Sequence, residues 1–157
     1  MIKKLLITTL ILTPTLAMAK TPPLTDKNAI LAIIGEAEGE PLEGKRALAC
    51  TLRNRGTLSG VYGINAPRVK KHQYSQATYT QVSKVWQSSA NAAYCSEYLG
   101  ADHWGSLKVD GAWLKKMKKA GYKHVATVGN HAFYASKVSQ VKTEDLDNLT
   151  AKYMSGK

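Results

Sequence analysis

The sequence has little of what usually announces a chemistry. Its two cysteines, Cys50 and Cys95, form no CxxC pair, which argues against dithiol redox catalysis. Four histidines, His72, His103, His124 and His131, are irregularly spaced and include no HExxH, so no metal site and no cofactor are expected. A GxSxG elbow is missing, which removes the usual setting of a serine triad. Repeats and low-complexity tracts are absent too. No apolar run approaches the roughly 20 residues that a spanning helix needs. Acidic residues are scarce, at 11 against 22 lysines and arginines, giving a formal charge of +11 at pH 7.

What is present begins with a leader. Met1 to Lys4 form a short basic segment, Leu5 to Leu12 an apolar one, and Ala17-Met18-Ala19 fits a small-x-small cleavage site. Residues 1–19 read as a signal peptide cleaved after Ala19, the alternative being an uncleaved interfacial anchor. Residues 20–157 then form one domain with a modest core, periplasmic or secreted. In an exported chain the Cys50 and Cys95 pair most simply means one disulfide, with two buried free thiols as the alternative. A free thiol nucleophile is disfavoured for the same reason. Nucleic acid is not expected as a partner. The positive charge suits anionic envelope surfaces, although it also serves plain solubility. A monomer is expected.

The apolar spacing predicts a mainly α fold with a small β-hairpin. Ala29, Ile30, Ile33, Ile34 and Ala37 recur at helical intervals after a cap at Thr25 or Asp26, and Gly39 and Pro41 end that helix. A second helix is expected from about Glu43 to Arg55, stopped by Gly56. Residues 57–77 lose periodicity and read as a long irregular loop. Its Tyr74, Gln73 and neighbours suit carbohydrate, because rings stack on sugars and amides bond hydroxyls. The longest helix is expected over 78–99, followed by a polar and aromatic knot at 101–105. An amphipathic piece should cover Ala112 to Lys119, with Trp113, Leu114 and Met117 on one side. Val125 to Tyr134 reads as a hairpin turning at Gly129-Asn130. From Gln140 onward the polar tail suggests one helical turn or two.

The densest chemistry lies in Ile33 to Arg55, where Glu36, Glu38, Glu40 and Glu43 crowd one short stretch of a basic chain. Glu43 suits the positive end of its helix, and Glu38 and Glu40 can be solvated or paired with Lys45 and Arg46. Glu36 differs: it falls in the last turn of the first helix beside the buried face. There it opposes the negative end of the helix dipole, and neighbouring carboxylates push the same way. Both effects disfavour its charged form. A general acid needs such a setting.

These residues also carry a resemblance. Glu36-Ala37-Glu38-Gly39-Glu40-Pro41-Leu42-Glu43-Gly44, followed by Ala47, Ala49, Asn54 and Arg55, is similar to the first block of the cell wall hydrolases related to the spore cortex-lytic enzyme SleB and to CwlJ. Gly100-Ala101-Asp102-His103-Trp104 resembles the second block. Trp113, and then Val128-Gly129-Asn130-His131-Ala132-Phe133-Tyr134, resemble the third. The resemblance implies a lysozyme-like, lytic transglycosylase-like fold that cuts the peptidoglycan glycan strand between N-acetylmuramic acid and N-acetylglucosamine, with Glu36 as the catalytic acid and base. A hydrolytic muramidase would need a second carboxylate, for which Asp102 is the first candidate and Glu40 the other. An N-acetylmuramoyl-L-alanine amidase and a non-catalytic wall-binding module are the further alternatives. Glu40, His103, Trp104, His131 and Tyr134 are expected around the site as orienting or sugar-contacting groups, and Asn54 and Arg55 at the junction between helices. The chain departs from the spore enzymes in its cysteine pair and in carrying no appended wall-binding repeat. A small exported hydrolase of a Gram-negative bacterium or its phage fits better, with remodelling and lysis both open.

Overall fold

A computed structural model of the chain describes residues 21–155; the expected signal peptide lies outside them. Thr25 caps the first helix, α1 (Asp26–Ala37), its Oγ1 accepting the Asn28 N–H at 3.3 Å. Ala29, Ile30, Ala32, Ile33, Ile34 and Ala37 are all buried, which is more than one stripe of the helix. The reason is its position. It packs against α2 (Leu42–Arg55), α4 (Gln76–Ser88) and a short 3-10 turn at Gly63–Asn65. Pro41 sets up the start of α2, and Gly56, at φ +69°, ends it with its N–H on Leu52 O. Both helices match the sequence reading to within one residue at each end.

The 57–77 stretch is less irregular than expected, holding the 63–65 turn and α3 (Pro67–Lys70) before α4 begins. The helix expected over 78–99 is a larger departure. It stops at Ser88, and the chain resumes as a 3-10 segment at Ala93–Tyr98. Polar side chains break it. Ser89 Oγ donates to Trp86 O at 2.6 Å, Arg53 Nη2 bonds the same carbonyl at 3.0 Å, and Asn91 Oδ1 takes the Ala93 N–H. Each offers the backbone a partner other than the helix ladder. A disulfide between Cys50 and Cys95, with Cα atoms 5.5 Å apart, fastens the 93–98 segment to α2. Arg46 adds to it through Nε and Nη2 on Tyr94 O, and Asn54 Nδ2 bonds Tyr98 O and Ala101 O.

The expected knot at 101–105 is a strand, β1 (His103–Ser106). The expected hairpin is β2 (Lys123–Val128) and β3 (His131–Ala135), and β1 joins it to make an antiparallel sheet of order β1-β3-β2. The register pairs His103 with Tyr134 and Ser106 with His131. Phe133 enters the main core, whereas Ala132 and Tyr134 form a second small core with Leu114 of α5 (Gly111–Lys119). Gly105 permits that packing, since a Cβ there would come within 2.7 Å of the Trp113 ring. The tail is not a turn or two but the 19-residue α6 (Lys137–Ser155). Its first turn is fixed by Asp102, which accepts from the Ser136 N–H, Ser136 Oγ and Ser139 Oγ. The fold is mainly helical with a small antiparallel sheet, as the sequence reading expects.

Candidate active site

Glu36 leaves the last turn of α1 half-buried, and its Oε1 accepts the Gly63 N–H at 2.6 Å. Two glycines make this contact possible. A Cβ on Gly35 would fall 1.9 Å from Gly63 O, and one on Gly63 would fall 2.6 Å from Glu36 Cγ and 2.3 Å from Ala32 O. Backbone therefore lies directly on backbone, and the carboxyl is held by one oxygen. Among the described residues no hydrogen bond falls to Oε2. Glu36 and Tyr62 are shared by two recesses, a cleft of about 550 Å³ and a shallower one of about 330 Å³. A polymer lying along both would pass over Glu36.

Residues of β1 and α5 also line the larger cleft. His103 and Trp104 line it, together with Trp113 and Tyr122, which meets the His103 ring edge-on at 5.0 Å. Asp102 stands behind His103. Its Oδ1 accepts from His103 Nδ1 at 2.9 Å and from the Ser136 N–H at 2.8 Å, and its Oδ2 takes both serine hydroxyls at 2.5 and 2.6 Å. Burial pushes this carboxyl up, but those hydrogen bonds outweigh it and hold Asp102 well below the usual carboxylate range. A charged Asp102 accepts from His103, so Nδ1 carries the hydrogen of the neutral ring and Nε2 is its acceptor. The candidate second carboxylate thus has both oxygens engaged on the side of α6.

Glu40 is engaged as well. Its Oε2 accepts the Asn130 N–H at 3.1 Å, and its Oε1 lies 3.4 Å from His131 Nδ1, close enough to attract without being aligned as a hydrogen bond. Gly129, at φ +56°, is required there, because a Cβ would meet Glu40 Oε2 at 1.8 Å. Glu40 fastens the hairpin tip to the α1–α2 junction, and neither Lys45 nor Arg46 is its partner. Glu38 pairs with Arg68 of α3, and Glu43 with Arg46 and the Tyr98 hydroxyl. Of the four clustered glutamates, Glu36 lines the cleft. His131 lines it too. Tyr134 instead packs in the second core against His124, and Tyr74 stacks on Tyr79 outside the cleft lining.

The sequence reading gave no site role to Tyr62, Trp113 or Tyr122, and put Arg55 only at a helix junction. Tyr62 is 82% exposed at the mouth, in the loop whose aromatics pointed to sugar. Tyr122 carries no local signal. Arg55 joins the cleft wall from the last turn of α2, its guanidinium 5.6 Å from the Trp104 ring centre. Among the described residues no three His, Cys, Asp or Glu side chains gather as a metal-binding group. The arrangement offers one carboxyl with a free oxygen, flanked by aromatic rings and a cation, at the crossing of two recesses.

No family model and no curated protein matches the chain. Among solved structures, the catalytic domain of the germination-specific lytic transglycosylase SleB from Bacillus anthracis is similar at a TM-score of 0.45 and 19% identity, over 74% of this chain and 99% of that one. The catalytic domain of the Bacillus cereus SleB protein is similar at a TM-score of 0.41 and 19% identity, over 73% of this chain and 94% of that one.

Proposed function

We propose that the protein cleaves the glycan strand of peptidoglycan outside the cytoplasmic membrane, as a lytic transglycosylase with Glu36 as its acid and base. The observation that carries the reading is the position of Glu36, held by Gly63 at the meeting of two recesses with Oε2 unbonded. The substrate comes from the three sequence blocks, which span most of the chain. Protonated Glu36 gives its proton to the glycosidic oxygen between N-acetylmuramic acid and N-acetylglucosamine, and the bond to the anomeric carbon breaks. The muramoyl 6-hydroxyl then bonds that carbon, and its proton returns to the Glu36 carboxylate. The product is a 1,6-anhydro end, and no water is consumed.

This route asks for one carboxyl. A hydrolytic muramidase asks for two, and the oxygens of Asp102 and Glu40 already serve other groups. We assign Asp102 to orienting His103, Glu40 to holding the hairpin, and His103, Trp104 and His131 to substrate contact. Tyr134 and Tyr74 take structural roles in this reading. Digestion of purified sacculi followed by mass spectrometry of the released fragments tests it. Anhydro ends are expected, with their loss in Glu36→Gln while sacculus binding persists. Reducing ends would instead favour the muramidase, and new free amino groups without glycan cuts would point to an amidase.

A further inference from the structure

Buried charges in proteins are ordinarily paired, because an unpaired one loses hydration without compensation. Among the described residues two of the arginines packed around this fold, Arg53 and Arg55, have no carboxylate partner, and of these Arg55 lines the cleft. Arg46 pairs with Glu43 and Glu97, and Arg68 with Glu38. Arg53 lies 3.8 Å over the Trp86 ring and bonds Trp86 O and Ser89 Oγ. Arg55 is half-buried in the cleft wall, yet among the described residues no carboxylate comes within ion-pair distance of it. Its neighbours explain why. Asp102 is near enough to favour the cation, but its oxygens are taken by His103, Ser136 and Ser139; Glu36 is also near, but is turned to Gly63.

The guanidinium is nonetheless fixed. Nη2 donates to Ser59 O, Nη1 reaches Asp102 O at 3.5 Å, and the Trp104 ring stands beside it. A guanidinium has five N–H donors, so most remain to be satisfied. Both restraining partners are carbonyls, which orient the fork without forming an ion pair with it. Gly60 keeps the approach open, since a Cβ there would sit 3.1 Å from Nη2. A planar, oriented, unpaired cation in a cleft is suited to a carboxylate.

We propose that Arg55 is a carboxylate-binding subsite of this cleft, selecting glycan that carries an acidic group over neutral glycan. The inference rests on the proposed glycan substrate and specifies its class. Two sources offer the same chemistry: the free lactyl carboxylate of a muramoyl residue without peptide, and a carboxylate of the stem peptide. In the first case the enzyme would act on strands already stripped by an amidase, since peptide attachment converts the lactyl carboxylate to an amide.

Binding measured by titration calorimetry on the full chain carrying Glu36→Gln tests this without turnover. The probes are peptide-free muramoyl glycan oligomers, peptide-bearing ones, and N-acetylglucosamine oligomers of equal length. Adding Arg55→Gln should weaken binding to one of the acidic glycans roughly tenfold or more, with a much smaller change for the neutral oligomer. The acidic glycan that responds identifies the source. Arg55→Lys, which keeps the charge and the aliphatic stem, should fall between the two and guards against misfolding. Equal losses on all three probes, or none on any, would overturn the subsite. Failure of the Glu36→Gln chain to bind any of the three would overturn the glycan reading itself.

Discussion

Asp102, a candidate second carboxylate by sequence, has both oxygens engaged by other groups in space. Its neighbours in the chain are His103 and Trp104, but three of the four hydrogen bonds to its carboxylate come from residues 34 and 37 positions away. No local pattern records that distance. Because those bonds hold it in the charged form, its stabilising contribution is complete above the ordinary carboxylate range and is lost as pH falls through it, from about 4 downward. Asp102→Ala should cost about 3 kcal/mol at pH 7 by thermal melting. The gap to wild type should narrow steadily in acid, and a gap independent of pH would count against a charged Asp102. Gly63 is the complementary case. Its side chain is missing for a reason that the sequence could not state, namely the touching backbones of α1 and the 63–65 turn. Gly63→Ala should cost roughly 1–3 kcal/mol and, by displacing the Glu36 carboxyl, most of the activity on sacculi. The place of Glu36 in the last turn of α1 was legible, because helix end, buried face and proline stop are all local.

At the scale of elements, α1 and α2 were readable because caps, periodicity and stops agree with one another: Thr25, the Ile30–Ile34 face, Gly56. The hairpin was readable from its Gly129-Asn130 turn. Strand β1 was not, since four residues with a glycine among them carry no alternation, and its pairing with β3 is a tertiary fact. Helix α4 ends early through Ser89 and Asn91, which are local, and through Arg53, which arrives from another element and leaves no mark in the local pattern. The disulfide was readable from the even number of cysteines and the expected export of the chain. Removing it by Cys50→Ser with Cys95→Ser releases a loop closed across 45 positions, for which the chain-entropy estimate is about 4 kcal/mol. Chemical denaturation of the two forms measures it, and a difference below about 1 kcal/mol would mean that Arg46 and Asn54 hold the segment unaided.

For the whole molecule, the excess of lysine and arginine over acidic residues sets how it meets an acidic polymer before any specific contact forms. Lysines of α5 stand on the outer side of the helix whose inner side supplies Trp113 and Met117 to the cleft. Sacculus binding should therefore weaken several-fold as salt rises from about 0.05 to 0.5 M, where the screening length shrinks to a few ångströms. Co-sedimentation with sacculi reads this directly, and salt-independent binding would assign adhesion to the cleft alone. The general architecture was open to sequence reasoning because composition and periodicity are properties of the chain. The cleft was only half open to it, because its walls come from α1, α2, β1 and α5 and meet by packing.

The crosslink between Cys50 and Cys95 has one further consequence, for survival among proteases. The segment that it encloses contains the Gly63 support of Glu36, and also the exposed Lys70 and Lys71 at the end of α3. A trypsin-like cut there would sever the chain without releasing either piece. Such a nicked protein should run at full mass on a non-reducing gel, divide in two on reduction, and keep lytic activity until the reductant is added.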